Sequence, residues 1–278
     1  MQHFTASDGA KIAYREEGTG RPLVLLHGLM AHSGFFDSQH VLADQFRLIA
    51  VDLRGHGQSR SDGGGLTIEK LAQDVAELAT ALELEEAIGV GWSLGASVLW
   101  NVLAGPASSR FAGAVVVDMT PRVRNEGDWD LGLSNEMCEA RSAAIRDDFA
   151  AFAANAGQAI YAQPVAGARR DMADWSSREF ACNDADAIGA IWASLVRQDF
   201  RPMLAGIGQP TLVIHGAQSQ LYGADTADHL VAALPNARAI EFQHSGHAPH
   251  IEQPELFNRA IREFAASLPR VRQTTALA

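Results

Sequence analysis

The sequence predicts an α/β fold, in which helices flank a mostly parallel central sheet and a helical segment is inserted between two strands. Apolar runs typical of buried parallel strands alternate with helical patterns along the chain. The 278 residues, 47% of them hydrophobic, are enough to bury one large core. Alanine-rich helical patterns replace the strand runs after residue 119, and strand runs resume near residue 210. We therefore expect a core domain over residues 1–119 and 207–270, and a helical cap over residues 120–206.

The chain begins with a hairpin signal. The segment FTASDGAKIAYREEG predicts two short strands joined at Asp8-Gly9, because an Asp-Gly pair readily adopts the backbone angles of a tight turn. We expect an antiparallel edge of the sheet there. The apolar runs LVLLH and RLIAVDL then predict two buried strands, with a helical stretch through Ser38 to Gln45 between them.

A crossover helix and two further strands follow. In the segment TIEKLAQDVAELATALEL, four apolar residues recur at helical spacing: Leu71, Val75, Leu78 and Leu82. Thr67 precedes them and can cap the helix with its hydroxyl group. The run AIGVGW predicts a strand, and ASVLWNVLAG predicts a helix that ends near Gly105-Pro106. The run FAGAVVVDM at 111–119 predicts another buried strand.

After the predicted cap, the strand and helix patterns return. The run PTLVIHG predicts a strand over 210–216, and a helix from Ala224 to Leu234 follows it. A last strand is predicted in ARAIEFQ, and a C-terminal helix from Pro254 to Ser267. Residues 271–278 have no periodicity and are expected to form a flexible tail.

Charge and composition argue against several functions. With 33 acidic and 22 basic residues, the net charge of -11 repels nucleic acid and anionic membranes. The N-terminus has no signal-peptide pattern, and no run approaches the roughly 20 apolar residues that span a bilayer. We therefore expect a cytoplasmic protein with no nucleic-acid or membrane partner. Formation of a homo-oligomer is possible.

The two cysteines indicate neither a disulfide scaffold nor a metal site. Cys138 and Cys182 are too few for such a scaffold and lack the spacing of metal ligands. We expect ordinary reduced residues, and a bridge between the two stays open. No metal and no organic cofactor is expected.

The pentapeptide GWSLG at 91–95 lies between a predicted strand and a helical pattern, which is typical of a serine nucleophile on a sharp strand-to-helix turn. Such a turn strains the backbone of the serine and brings neighbouring chain close to its flanks, where glycine fits. The nucleophile would be Ser93, which needs a base to remove its proton.

We assign the role of base to His247, which lies after the last predicted strand and before the last helix. Gly246 beside it allows the tight turn that would bring the imidazole to the end of the sheet. His244 and His250 compete for this role, but for both we favour the interpretation of a hydrogen-bonded loop histidine.

Four motifs occur along the chain in a characteristic order: HGLM at 27–30, DLRGHGQS at 52–59, GWSLG at 91–95 and SGHAPHIEQP at 245–254. Together they resemble the α/β-hydrolase family, in particular its bacterial esterase- and lactonase-like members with a helical cap. The resemblance spans about residues 5–268 and implies the α/β-hydrolase fold. It also implies an oxyanion hole formed by the backbone amides of Leu29 and Leu94. Losing one such donor typically costs on the order of 10²-fold in rate or more.

The acid of the catalytic triad is the point at which this sequence departs from the common family pattern. Many members carry an aspartate three residues after the glycine that ends a late strand, where HGAQSQLY has Ser219. Asp118 instead follows the strand beside the nucleophile strand, an arrangement that the resemblance admits. We therefore assign Asp118 to orient His247 and to stabilise its charge. Asp225 is the alternative acid, and helix capping is the structural alternative for Asp118.

Other polar residues of the motifs receive structural roles. Asp52, Arg54 and His56 are expected to hold their loop together, and His27 to brace the oxyanion loop through hydrogen bonds. Arg122 and Arg124 follow Asp118 closely; one of them could hold a substrate carboxylate, and we favour exposure to solvent for both.

Bulky residues beside the nucleophile and in the cap are predicted to line the substrate pocket: Trp92, Met119, Trp129 and Trp192. Ordinary core packing is the alternative for each of them. The predicted reaction is acyl transfer to Ser93, with His247 as general base, followed by hydrolysis.

We therefore expect a serine hydrolase that cleaves a carboxylic ester or lactone of a small, largely apolar molecule. Carbon-carbon bond hydrolysis and thioester cleavage use a similar triad and stay open. A ligand-binding protein that keeps the fold without turnover is the alternative from a different class.

Overall fold

A computed structural model describes residues 1–59 and 64–269, so the predicted tail at 271–278 lies outside the described residues. The described residues form eight strands: β1 (Gln2–Thr5), β2 (Lys11–Glu17), β3 (Arg21–Leu26), β4 (Phe46–Val51), β5 (Ala87–Trp92), β6 (Phe111–Val117), β7 (Thr211–Gly216) and β8 (Ala237–Phe242). They also form ten α-helices: α1 (Ile68–Ala81), α2 (Leu94–Ala104), α3 (Asn135–Asp147), α4 (Phe149–Ala159), α5 (Ala168–Ala181), α6 (Ala185–Leu195), α7 (Arg201–Leu204), α8 (Ala224–Ala233), α9 (Pro249–Glu252) and α10 (Pro254–Ser267). Two 3₁₀ helices cover Ser33–Asp44 and Pro106–Arg110.

The strands form one sheet in the order β1-β2-β4-β3-β5-β6-β7-β8. Strand β2 pairs antiparallel with β1 and β4, and the remaining neighbours are parallel. This arrangement confirms the predicted N-terminal hairpin and the mostly parallel sheet. Strands β5, β6 and β7 are neighbours and run in the same direction, so the residues that follow them emerge at one edge of the sheet.

The hydrophobic core lies between the sheet and the helices on its faces. All six residues of β5 and of β7 are buried, as expected of parallel strands covered on both sides. Helix α1 buries Leu71, Val75 and Leu78, as predicted. Its N-terminus is capped by Thr67, whose hydroxyl accepts a hydrogen bond from the backbone N–H of Lys70.

Five helices, α3 to α7, lie between β6 and β7, where the sequence predicts the helical insertion. Helices α4 and α5 pack against each other, and helix α3 packs against α6. The division into a core and a cap at residues 120 and 206 stays a prediction. Cys138 is buried, Cys182 is exposed and both are free, so the bridge that the sequence left open is absent.

Two local elements differ from the sequence prediction. The helical stretch predicted from Ser38 is a 3₁₀ helix that begins at Ser33, where the ring of His32 accepts a hydrogen bond from the backbone N–H of Gly34. The sequence analysis treated residues 245–254 as a loop, but the short helix α9 forms within them and begins at Pro249.

Candidate active site

Ser93 lies in the sharp turn between β5 and α2. Its φ angle of 52° and ψ angle of -118° are unfavourable for a residue with a side chain. A Cβ atom on Gly91 would lie 2.5 Å from the Cα atom of Ala96, and one on Gly95 would lie 2.1 Å from the carbonyl oxygen of Leu26. The glycines are therefore required by the close approach of neighbouring chain, while Ser93 carries the backbone strain of the turn.

Asp118 follows β6 directly and binds the ring of His247. The distance from Asp118 Oδ2 to His247 Nδ1 is 2.5 Å, and both side chains are almost fully buried. Asp118 also has a positive φ angle, 46°, and its backbone N–H donates to the carbonyl of Ile214 on β7. The same carboxylate oxygen accepts a 2.7 Å hydrogen bond from the hydroxyl of Ser219. Asp225, the alternative acid, is exposed in the first turn of α8.

The backbone beside His247 is fixed from two directions. The backbone N–H of His247 donates to the carbonyl of Ile160 at 2.8 Å, and its carbonyl accepts from the indole N–H of Trp92 at 2.7 Å. The carboxylate of Glu252 accepts hydrogen bonds from the backbone N–H groups of Gly246 and Ala162. This buried carboxylate joins the histidine loop to the segment that follows α4.

Glycine is required at position 246 because the backbone of residues 160–162 lies very close to it. A Cβ atom on this residue would lie 2.6 Å from the backbone nitrogen of Ala162 and 2.6 Å from the carbonyl carbon of Tyr161. The sequence analysis assigned Gly246 to a tight turn, and the packing against residues 160–162 gives a further physical reason for glycine at this position.

Ser93 and His247 line the same cavity, whose volume is about 250 Å³. The described residues that line it include Leu29 from the loop after β3, Trp92 from β5 and Trp192 from α6. Much of the remaining wall is apolar and comes from five side chains: Met30, Phe152, Phe180, Leu195 and Leu221. The predicted pocket residues Trp92 and Trp192 therefore reach the cavity.

The other two predicted pocket residues do not line this cavity within the described part of the chain. Met119 is buried in the core, although it directly follows Asp118. Trp129 donates its indole N–H to the carbonyl of Arg122, and the guanidinium of Arg201 stacks over its ring at 5.0 Å from the centroid. The sequence identified both as bulky side chains but could not indicate the direction in which each side chain points.

Leu94 is the first residue of α2, so its backbone N–H precedes the internal hydrogen bonds of the helix. The N-terminal end of a helix also carries partial positive charge, which favours an anion there. Leu29 precedes Met30, whose φ angle of 66° marks a second strained turn beside the cavity. Both positions are compatible with the oxyanion hole that the family resemblance implies.

The ring of His27 bridges two loops of the site. Its Nε2 accepts a hydrogen bond from the backbone N–H of Leu53, and its Nδ1 lies 2.8 Å from the carbonyl oxygen of Gly28. Burial, together with the neighbouring His56, lowers the pKa of His27 to about 3, so His27 is neutral at pH 7. Burial likewise lowers the pKa of His56 to about 4.

Asp52 and Arg54 both hold the loop that follows β4. The carboxylate of Asp52 accepts hydrogen bonds from the backbone N–H groups of Ser33 and Gln58. Arg54 forms two 2.7 Å hydrogen bonds to the carboxylate of Asp74 on α1. These contacts are the structural ties that the sequence analysis expected of the motif.

Two sequence expectations outside the triad are wrong. His250 is fully buried against the ring of Trp92, and its ring nitrogens have no hydrogen-bond partner among the described residues, so it is not a hydrogen-bonded loop histidine. His244, by contrast, is exposed, and its backbone N–H donates to the side chain of Gln253. Arg122 does not face solvent but pairs with the carboxylates of Glu126 and Asp199.

The chain matches the sequence model of the alpha/beta hydrolase family over residues 23–260. The chain belongs to this family. A relative in the α/β hydrolase family, the pimeloyl-[acyl-carrier protein] methyl ester esterase of Nitrosomonas europaea, is 31% identical over 252 residues, which are 89% of this chain and 97% of that protein. A non-heme chloroperoxidase of Streptomyces lividans is 30% identical over 280 residues, covering 96% of this chain and all of that one. Among solved structures, an esterase from a Rhodococcus species has a TM-score of 0.84 and 28% identity, covering 96% of this chain and 99% of that chain.

The names of these α/β hydrolases describe different reactions, so membership of the family does not by itself determine the reaction. Within residues 1–59 and 64–269, no helix has both the length and the apolar character needed to cross a bilayer. The same residues contain no group of histidine, cysteine and acidic side chains arranged to hold a metal ion.

Proposed function

We propose that this α/β hydrolase is a serine esterase or lactonase that cleaves a small, largely apolar substrate through an acyl-enzyme. The observation that carries the proposal is that Ser93 and His247 line one cavity while Asp118 holds the far side of the His247 ring. The esterase names of two similar proteins support the same bond type.

In the proposed mechanism, His247 is the general base. Its Nδ1–H donates to Asp118, which leaves Nε2 free to accept the proton of Ser93 as the hydroxyl oxygen attacks the substrate carbonyl. The same nitrogen returns the proton to the departing alcohol. His247 then removes a proton from a water molecule, whose oxygen attacks the carbonyl of the acyl-enzyme. The ester bond to Ser93 breaks, the Ser93 oxygen takes the proton back from His247, and the acid product is released.

The negative oxygen that develops during each attack needs fixed donors. We assign this role to the backbone N–H groups of Leu29, which lines the cavity in the loop after β3, and of Leu94, which follows Ser93 at the start of α2. The N-terminal dipole of α2 adds to the stabilisation, because Leu94 is the first residue of that helix.

We further propose that residues 120–206 form a cap that selects substrates by size. Helices α4, α5 and α6 of this segment contribute Phe152, Phe180 and Trp192 to the cavity wall. A cavity of about 250 Å³ is below the range of roughly 300–1,000 Å³ typical of sites for drug-sized ligands. We therefore expect short acyl chains to react best.

The proposal is tested by hydrolysis of p-nitrophenyl esters with acyl chains from acetyl to octanoyl. We expect the highest kcat/KM for the short chains and a loss of at least about 10³-fold in Ser93→Ala. The matched control is Ser97→Ala, which removes a buried hydroxyl on α2 that does not line the cavity within the described residues. Equal rates for the wild-type protein and Ser93→Ala would contradict the proposal.

A parallel panel of thioesters and ring-cleavage diketones distinguishes related chemistries. Turnover of a diketone or thioester at a kcat/KM at least 100-fold above every ester and lactone would overturn the ester assignment while leaving the role of Ser93 intact. Tight binding of a ligand with no product formed would instead indicate the ligand-binding alternative.

A further inference from the structure

We propose that the natural substrate carries a carboxylate group and that Arg141 binds it. This inference rests on the hydrolase function proposed above and names the class of ester or lactone that the site accepts. It starts from a cation in the wall of an otherwise largely apolar cavity.

The charge of the cavity differs from that of the whole protein. The chain has a net charge of -11, but the described residues that line the cavity include no aspartate or glutamate. Arg141, in the middle of α3, is the one permanently charged side chain among them. A single guanidinium in an apolar site attracts an anion and disfavours a cation.

The guanidinium of Arg141 has no hydrogen-bond or ion-pair partner in residues 1–59 and 64–269. Among the described residues, no carboxylate lies within ion-pair distance of it and no hydrogen-bond acceptor is recorded for it. Several other half-buried or buried arginines are paired with carboxylates, for example Arg54 with Asp74 and Arg201 with Asp199. A half-buried arginine without an internal partner retains its five N–H donors for a ligand.

An aromatic ring supports the guanidinium in this position. The Cζ atom of Arg141 lies 5.8 Å from the centroid of the Trp192 ring, within the range of a cation–π contact. The ring is itself fixed, because its indole N–H donates to the hydroxyl of Ser142 at 3.0 Å. Ser142 in turn donates to the carbonyl of Cys138, one turn earlier in α3. This arrangement restrains the arginine before any ligand binds.

A second donor lines the same cavity. It is Tyr222, whose ring centroid is 6.1 Å from that of His247. Burial raises the pKa of this phenol well above its ordinary value, so the group remains a neutral donor at pH 7. A ligand carboxylate bound by Arg141 and Tyr222 would share the cavity with Ser93, the proposed nucleophile.

A carboxylate fits this arrangement better than a phosphate. One guanidinium presents two parallel N–H groups that match the two oxygens of a carboxylate, and its single charge balances one negative charge. A phosphate ester with a charge near -2 would bring uncompensated charge into a largely apolar cavity that offers one cation.

The test compares substrates that differ in one negative charge. Monomethyl adipate and dimethyl adipate place the carboxylate, or its neutral ester, in the acyl half of the molecule. Acetoxyacetate and methyl acetoxyacetate place it in the alcohol half. We expect the wild-type protein to prefer the anionic member of at least one pair in kcat/KM, mainly through a lower KM, because Arg141 binds a part of the substrate that does not react.

In Arg141→Gln we expect the ratio of anionic to neutral kcat/KM to fall roughly 10- to 100-fold, the range for loss of a charge-assisted hydrogen bond. Arg141→Lys keeps the charge but not the planar fork and should retain part of the preference. The matched control is Arg146→Gln, which removes the same charge from an exposed position on α3, and here the ratio should stay at the wild-type value.

Two outcomes would overturn the inference. One is a wild-type protein that shows no preference for the anion in either pair. The other is an Arg141→Gln variant that loses the same factor on anionic and neutral esters, because that result would indicate a structural role for the arginine.

Failure of the inference can be separated from failure of the proposed function. Hydrolysis of the neutral esters that depends on Ser93 supports the hydrolase reaction whatever Arg141 does. Binding of monomethyl adipate and acetoxyacetate to Ser93→Ala, measured by calorimetry, reports on the anion site without any turnover. We expect heat of binding from at least one of them in Ser93→Ala and its loss in Ser93→Ala/Arg141→Gln; no binding to Ser93→Ala would overturn the anion site.

Discussion

The hydroxyl of Ser219 donates a 2.7 Å hydrogen bond to Asp118, on the same oxygen that binds His247. Ser219 follows β7 and Asp118 follows β6, and these two strands are neighbours in the sheet. In the common pattern of the family, an aspartate stands at the position of Ser219. The two positions therefore lie side by side at the ends of neighbouring strands, and Asp118 contacts His247.

Asp118→Asn is expected to lower kcat by roughly 10³- to 10⁴-fold while the protein remains folded. The amide cannot stabilise the imidazolium that forms on His247, and it favours the wrong ring tautomer. The measurement is steady-state hydrolysis of p-nitrophenyl acetate, with circular dichroism to verify folding. Asp225→Asn is the control, because Asp225 is exposed on α8 and should leave the rate unchanged. Activity near the wild-type level in Asp118→Asn would contradict the assigned acid.

Combining Asp118→Asn with Ser219→Asp should restore part of the lost activity. The hydroxyl of Ser219 already lies within hydrogen-bond distance of the carboxylate that holds His247, so an aspartate there can approach the same ring nitrogen. We expect the double variant to exceed Asp118→Asn by about 10-fold or more in kcat, in the same assay. No gain over the single variant would show that an aspartate at position 219, after β7, cannot replace the carboxylate of Asp118.

Ser93→Gly should be more stable than Ser93→Ala by about 1–2 kcal/mol. The φ angle of 52° at this position disfavours any residue with a Cβ atom, and glycine relieves that strain, although its greater freedom in the unfolded chain reduces the gain. Both variants lack the nucleophile, so the comparison isolates the backbone. Urea unfolding followed by tryptophan fluorescence measures the difference. Equal free energies of unfolding would mean that the turn is not strained.

His250→Phe should make the protein less sensitive to acid. Burial lowers the pKa of His250 to about 3, so between pH 6.5 and pH 3 the unfolded chain binds a proton at this residue that the folded chain does not. Stability therefore falls with decreasing pH in this window, by up to about 1.4 kcal/mol per pH unit for one proton.

Replacing the imidazole of His250 should reduce the slope of the free energy of unfolding against pH by up to about 1.4 kcal/mol per pH unit. The free energy of urea unfolding is measured at intervals from pH 4 to pH 7 for the wild-type protein, His250→Phe and the exposed control His244→Gln. The slope should decrease in the first variant and stay unchanged in the second. Identical slopes for all three proteins would show that His250 is charged in the folded state.

Much of the fold could be predicted because the strand signals of this chain are strong. Strands β3 to β7 contain apolar runs bounded by turn residues, and the Asp8-Gly9 pair is typical of a tight hairpin turn. The position of Asp118 also followed from strand order, since an acidic residue directly after a buried strand must lie at the edge of the sheet. The observed contact with His247 agrees with that placement.

Side-chain direction within the insertion could not be predicted in the same way. Trp129 and Trp192 look alike in the sequence, but Trp192 lines the cavity and Trp129 packs under Arg201. Arg141 was missed because helix α3 has many charged residues, and a charge on such a helix usually faces solvent. The missing signal is the position of α3 relative to α6, which depends on tertiary packing rather than on periodicity.

The hydrogen bond from the backbone of His247 to Ile160, together with the shared carboxylate of Glu252, ties the base to the segment after α4. Any movement that lifts residues 160–162 from the sheet must break these bonds and release the loop that aims the imidazole. The position of His247 therefore depends on residues 160–162, so a substitution that displaces this segment also displaces the imidazole.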